Sequence, residues 1–566
     1  MNINGKAKTQ NTYDVIVIGS GISGGWAAKE LTEKGLQVLL LDRGRNVEHI
    51  KDYTTANKAP WEFAHRGRLT EAQKESHPYL KRDYPYSEFN ESFWMNDNEN
   101  PYTEKKRFDW YRSDVVGGKS LMWGRQTYRL TDLDFEANAK EGIAVDWPIR
   151  YQDIAPWYSY VEKFVGISGN NDGIPHLPDG QLLPPMEMFC VEKEVKKQLE
   201  AKFKGRHLII GRTANLTQAH LGRGSCQYRD MCSRGCPYGG YFSTQSSTLP
   251  AAMATGNLTL RPNSLVDAVI YDEKKGKATG VKVIDTENNE MVEYYAKLIF
   301  VNGSTLGSTF ILLNSTSSRF PTGLGNGSGQ LGHNLMDHHF RTGAAGIVEG
   351  YDDIYYSGRR PNGIYVPRFR NLGNDKRNYI RGFGYEGSAS REGWTRGIGA
   401  PGVGAGFKDW LTKPGAWKLG IIGYGECLPY YENQVTLNKN LQNKWGQPTL
   451  SIDAEFKENE KKMRVDMMND AAEMLEVSGL KYVTPFDDGC YPGMAIHEMG
   501  TARMGRDPKT SVLNGFNQMH EVPNVFVTDG SCMTSSANQN PSLTYMALTA
   551  RACDYAVKEM KKGNIV

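Results

Sequence analysis

The sequence predicts an α/β fold with a Rossmann-like dinucleotide-binding domain. Three features carry this reading. Residues 14–19 form a short β-branched run that ends in a glycine turn and passes into a helical stretch from residue 25. Residues 37–42 form a second apolar run that ends in an acid. Residues 297–303 form a third, again ending at a glycine. Short apolar runs bounded by glycine read as buried parallel strands.

Within the first unit, Gly19, Gly21 and Gly24 have the spacing in which one glycine makes a tight turn, the next lets backbone approach a pyrophosphate, and the third allows close helix–strand packing. The helix start then faces phosphate, and Asp42 is placed to accept from a ribose hydroxyl. The acid disfavours a 2′-phosphate and hence NADP; the motif alone leaves NAD and FAD open. Further strands are expected at 257–260, 278–284, 292–293 and 297–303.

Composition narrows the class. With 566 residues the chain is too long for one ordinary core. Lys and Arg total 67 against 64 Asp and Glu, a net +3, which gives no electrostatic case for a nucleic-acid binder or a polybasic membrane anchor. No apolar run approaches the roughly 18 residues of a membrane helix. The N-terminal dozen residues are polar and lack an apolar h-region, so the expectation is a chain without its own export signal, cytoplasmic or carried to the periplasm by a partner. Eight cysteines are too few for a disulfide scaffold.

Three later segments add to the first. Residues 114–124 contain Gly117, Gly118, Ser120, Met122, Trp123 and Gly124. Residues 497–505 contain His497, Gly500, Thr501 and Gly505. Residues 524–531 contain Asp529 and Gly530, followed by Asn540, Pro541, Ser542 and Thr544 and an alanine-rich stretch at 547–556. In order and spacing these resemble the glucose–methanol–choline (GMC) oxidoreductases, the FAD-dependent alcohol oxidases and dehydrogenases, from Asp14 to Ala556. Residues 426–429 and 432–437 also look like the family's stretch leading into its substrate-domain sheet. The resemblance implies FAD, a discontinuous FAD-binding domain at 1–50, 105–345 and 490–566, a lid or subunit-contact excursion at 51–104, and an antiparallel-sheet substrate domain at 346–489. It also sets Arg43, Val266, Gly303 and Thr544 among the FAD contacts.

Elementary chemistry agrees. Glycines at 117 and 118 let backbone run close to an isoalloxazine. Asn540 and Pro541 precede a helix whose free N–H groups suit negative charge developing on a reduced flavin. Alcohol oxidation needs a hydride acceptor, which flavin supplies, and a base titrating near neutrality. By resemblance His497 is that base. Asn540 is its partner, able to stabilise an alkoxide but not to take a proton. Of eleven histidines, His49, His65 and His77 read as solvated or structural, and His338 and His339 receive no chemical role. Sugar-oxidising relatives often attach FAD through a histidine near this Ser–Trp segment; Met122 stands there instead, so FAD is expected to be non-covalent.

Cys226, Cys232 and Cys236, followed by Pro237, cluster in one short loop. Zinc wants a fourth ligand, whereas three thiolates can hold a three-iron cluster. A disulfide plus a free thiol is the plainer alternative. The loop resembles the cluster loop of multi-subunit glucose dehydrogenases in the family, and a [3Fe-4S] cluster is the expectation, with Arg229 and Arg234 offsetting its charge. A cluster argues for a dehydrogenase with a cytochrome acceptor and a small subunit carrying the export signal. The best resemblance within the family, to glucoside 3-dehydrogenases, implies oxidation of a secondary sugar hydroxyl at C3; an oxygen-using sugar oxidase and a non-redox lyase are the alternatives. Tyr355, Tyr356, Arg359, Arg360, Arg381, Phe383, Tyr385, Glu386, Trp394 and Arg396 are candidate sugar contacts.

Overall fold

The structure, a computed structural model, describes residues 11–82, 84–356 and 361–565. The two N-terminal strands form as Thr12–Ile18 and Val38–Leu41 and pair in parallel, Val15 opposite Val38 and Ile18 opposite Leu41. Val15, Ile16, Val17, Leu39 and Leu40 are fully buried, as parallel strands covered by helices on both faces must be. Each such side chain contributes about 1.5–3 kcal/mol. The sheet order is Leu258–Arg261, Val38–Leu41, Thr12–Ile18, Met291–Val301, Lys277–Asp285, Ser264–Asp272, with Val525–Val527 parallel beside Met291–Val301.

The pieces expected at 292–293 and 297–303 are one strand. In its first half Tyr294 and Ala296 are buried while Tyr295 and Lys297 are exposed; its second half is covered on both faces. The change of pattern marks the change from an antiparallel neighbour to two parallel ones and hid the continuity. On one face of the sheet Ile22–Glu33 meets the C-terminal helix Ser542–Lys561, with Ala27, Ala28 and Leu31 against Ala552, Cys553 and Ala556.

A second, antiparallel sheet runs in the order Lys481–Asp487, His339–Val348, Trp417–Gly425, Phe383–Arg391, Ile364–Val366, Ile209–Ile210. The long helix Glu458–Val477 packs on it through Met463, Met467, Ala471 and Met474. So does Cys190–Lys202, through Val191, Val195 and Leu199. Residues 190–210 thus pack with the second sheet, although the 105–345 assignment placed them with the first. The stretch expected to lead into this sheet does not join it: Gln434–Gln442 pairs with Pro448–Asp453, and Thr103–Glu104 completes a separate three-stranded sheet. Val435 packs there with Leu306, Leu335 and Leu450, and its N–H donates to Gly332 O at 2.7 Å. No helix among the described residues is long and apolar enough to cross a membrane.

Candidate active site

The three N-terminal glycines have distinct local reasons. Gly19 has φ +89°, and a Cβ there would meet Asn302 O at 2.3 Å. A Cβ on Gly24 would lie 1.7 Å from Gly19 O. Gly21 is different: nothing lies within 4 Å of the position its Cβ would take. It precedes Ile22–Glu33 with no side chain capping the helix, so the first-turn N–H groups remain for a ligand. Asp42 accepts from Ser20 N at 2.9 Å and Gly44 N at 2.8 Å. Burial pushes its carboxyl up, and these donors and the Ser20 hydroxyl pull it back.

The open space at Gly21 belongs to a cavity of about 1110 Å³. Gly19, Asp42, Arg43, Gly118, Ser120 and Met122 line it, as do Trp123, Gly124, Val266, Gly303, Asp529 and Gly530. Gly24, Gly117, Pro541 and Thr544 are not on its wall; Gly117 N donates to Ser20 Oγ at 2.7 Å, and Thr544 Oγ1 meets Tyr158 Oη at 2.8 Å. Three wall atoms, Asn302 Nδ2, Glu498 Oε1 and Tyr545 Oη, are buried without a hydrogen-bond partner from the chain. Buried polar atoms left unpaired cost about 1–3 kcal/mol each, so a polar ligand is expected to meet them. Size, phosphate cradle and unpaired polar atoms fit FAD.

His497 and Asn540 line the same cavity. His497 is half-buried, and its backbone N donates to Asp337 Oδ1 at 3.0 Å. Asp337 Oδ2 accepts from Gly493 N at 2.7 Å and Ala495 N at 3.2 Å, so one buried carboxyl group fixes the loop that carries the histidine. Burial, with the charge of Glu498, pushes Asp337 up to about 8. Desolvation, then the neighbouring His338 and Lys119, hold the His497 imidazolium well below the usual histidine range. The His497 ring contacts His338, Nδ1 to Nδ1, at 2.9 Å. No role was expected of His338; 159 residues separate the pair in sequence, and only the fold joins them.

Glu386, on Phe383–Arg391, faces the cavity, where the nearby Asn540 and Gln126 side chains pull its carboxyl down. Burial pushes it up to about 7, and its Oε1 is unpaired. Most other sugar-contact candidates lie elsewhere. Phe383 and Tyr385 point into the core behind the sheet, Arg381 is buried in ion pairs with Glu426 and Glu141, Tyr356 stacks on Phe189, and Tyr355 and Trp394 are exposed. Arg396 bonds the Gly393 carbonyl at 2.9 Å, and Arg359 and Arg360 fall outside the described residues. Period-2 alternation separates Glu386 from Phe383 and Tyr385, a signal the sequence already held. Aromatic residues on the wall include Tyr84, Phe340 and Tyr424, with Phe340 stacked on Tyr424 at 5.3 Å. Tyr84 comes from the 51–104 excursion, which also supplies Asn90, Trp94 and Met95 to the wall.

The three clustered cysteines line a second cavity of about 30 Å³, and Cys226 and Cys232 also border the large one. All three thiols are free, and burial pushes Cys226 up to about 11. Among the described residues no group of three His, Cys, Asp or Glu side chains is placed to hold a metal ion. Cys226 Sγ accepts from Tyr228 N at 3.4 Å and Cys236 Sγ from Gly240 N at 3.3 Å, bonds that a free thiol and a ligating thiolate can both take. Arg229 and Arg234 donate to carbonyls of Ala56 and Lys58 rather than offsetting a cluster. The three-iron expectation finds no support in this geometry.

The cradle, and the cavity that His497 and Asn540 line with it, fit a flavin-dependent oxidoreductase. GMC oxidoreductase family models match residues 13–340 and 429–549, and the chain belongs to that family. It is 29% identical over 564 residues to 2-methyl-1,2-propanediol dehydrogenase of Mycolicibacterium austroafricanum, covering 96% of this chain and 94% of that protein. It is 24% identical over 572 residues to the fructose dehydrogenase large subunit of Gluconobacter japonicus, covering 97% and 98%. The fold matches the crystal structure of pyridoxine 4-oxidase from Mesorbium loti with a TM-score of 0.61 at 15% identity, covering 96% of this chain and 99% of that one.

Proposed function

We propose that the chain is an FAD-dependent dehydrogenase that oxidises a secondary hydroxyl of a sugar or glycoside to a ketone, with C3 of a glucoside as the favoured position. The observation that carries this reading is that His497 and Asn540 share one cavity with the dinucleotide cradle. Two relatives bear the names of a diol dehydrogenase and a sugar dehydrogenase, which supports a reaction at a CH–OH group. Bound flavin supplies the hydride acceptor.

The chain's own residues manage the proton and the charge. Because burial keeps the His497 ring neutral, it has a lone pair available to take the hydroxyl proton at neutral pH. The Asn540 amide stabilises the alkoxide. Glu386 offers an unpaired oxygen to a second hydroxyl, and Phe340 and Tyr424 offer apolar faces to the C–H side of a sugar ring. The proposal includes non-covalent FAD, a cytochrome as electron acceptor and a small partner subunit carrying an export signal. The clustered thiols are left out of the electron route because they form no ligand set.

The test is anaerobic mixing of the purified flavoprotein with a panel of sugars and glycosides. Bleaching of the visible flavin band with a 3-keto product is expected. Bleaching by simple alcohols alone would overturn the sugar assignment, and rapid peroxide release in air would overturn the dehydrogenase assignment.

A further inference from the structure

We infer that His338 is a positioning residue that holds His497 in the one neutral tautomer able to accept a proton from the cavity. The inference rests on the reading of His497 as the base.

His338 Nε2 lies 2.8 Å from Ala537 O and 3.4 Å from Ser536 O. A carbonyl only accepts, so Nε2 of His338 carries a hydrogen. His338 is fully buried, and desolvation pushes it down to about 4, so the ring is neutral near pH 7. A neutral imidazole protonated on Nε2 has a bare Nδ1. That Nδ1 is 2.9 Å from Nδ1 of His497, with the rings edge to face at 83°. Only one hydrogen can sit between the two nitrogens, and His497 must supply it. A neutral His497 protonated on Nδ1 has its lone pair on Nε2, and the ring lines the cavity. The other tautomer would press two lone pairs together at a buried contact, a costly arrangement away from water.

Two adjacent residues therefore divide the work. Asp337 holds the backbone of the 493–497 loop by three N–H bonds, while His338 sets the ring. A carboxylate partner would hold the same tautomer but would also make the base stronger. A neutral imidazole fixes the tautomer without that gain. When His497 takes a proton, its Nδ1–H bond to His338 becomes charge-assisted and shortens.

The test uses FAD-loaded protein with selectively ¹⁵N-labelled histidine. Long-range ¹H–¹⁵N correlation near pH 7.5 should place His497 Nε2 and His338 Nδ1 in the range of unprotonated ring nitrogens. A protonated Nε2 on His497 overturns the inference, whether or not any variant folds. Two substitutions add a rate test. His338→Leu removes the acceptor and should slow anaerobic flavin reduction at least about tenfold, less than the ~10⁴-fold loss when a charged tautomer-setting partner is neutralised. FAD content should be unchanged, since His338 does not line the cavity. His338→Gln can donate to Ala537 O and accept from His497 Nδ1–H, and should recover most of the rate. Equal rates for His338→Leu and wild type, or no recovery with Gln in protein that retains FAD, would overturn the inference. A wild-type rate in His497→Ala would instead overturn the base reading, so the two failures are distinguishable.

Discussion

Gly21 and Gly24 should fail in different ways when changed to alanine. At Gly21 the backbone has φ −66°, ordinary for any residue, and the added methyl meets no protein atom within 4 Å. The apoprotein should therefore lose no stability, and loss of glycine freedom in the unfolded chain should add about 0.4–1 kcal/mol. The methyl does occupy the space of the cradle. Forcing one methyl group into a close contact costs about 1–3 kcal/mol, which weakens FAD binding roughly five- to 150-fold. At Gly24 the methyl would sit 1.7 Å from Gly19 O, and relief means opening that contact to at least 3.0 Å between backbone segments. Gly24→Ala should lower the melting temperature of the apoprotein as well as its FAD affinity. The assays are thermal unfolding of deflavinated protein and FAD titration by fluorescence quenching. Normal FAD affinity in Gly21→Ala would refute the cradle, and an unchanged apoprotein melting temperature in Gly24→Ala would refute the packing argument.

His497→Ala should retain FAD and slow flavin reduction by at least about a hundredfold, the low end for loss of a general base; stopped-flow absorbance checks this, and Asn540→Ala should be slowed less. Glu386, raised from 4.5 to about 7 by burial, favours the protonated form in the folded state, so its contribution to stability is complete below about pH 4.5 and is lost as pH rises through 7. Glu386→Gln should therefore match wild type at pH 4 and be more stable at pH 8, by no more than about 3 kcal/mol; denaturant titrations at the two pH values decide it. Acid precipitation should leave a colourless pellet and a yellow supernatant, because the Met122 thioether does not attach flavin; a yellow pellet would show a covalent link.

The dinucleotide unit was legible because the turn, the cradle and the helix start lie within one short stretch of sequence: Gly24 is crowded by its neighbour Gly19 and Gly21 leaves open space, although the contact that crowds Gly19 comes from distant Asn302. His497 and Asn540 were legible through family resemblance, and the structure sets both on one cavity. Relations across the fold were not legible. His338 has meaning only beside His497 and Ala537 O. The aromatic wall draws on Tyr84, Phe340 and Tyr424 from three distant segments, whereas the densest aromatic runs in sequence are partly core, as Phe383 and Tyr385 show. Spacing set Cys226, Cys232 and Cys236 in one loop, where they line a single small cavity, but among the described residues no group of three such side chains is placed to hold a metal ion.

In the proposed function, His497 and Asn540 act with flavin in this cavity on a hydroxylated substrate. Anaerobic stopped-flow mixing of wild-type protein and His497→Ala with the glycoside panel tests it most directly. The account predicts rapid loss of the oxidised flavin band in wild type with a keto-sugar product, and near-absent loss in the variant with FAD still bound. An oxidised spectrum that persists in wild type across the whole panel, or equal bleaching in both proteins, would contradict it.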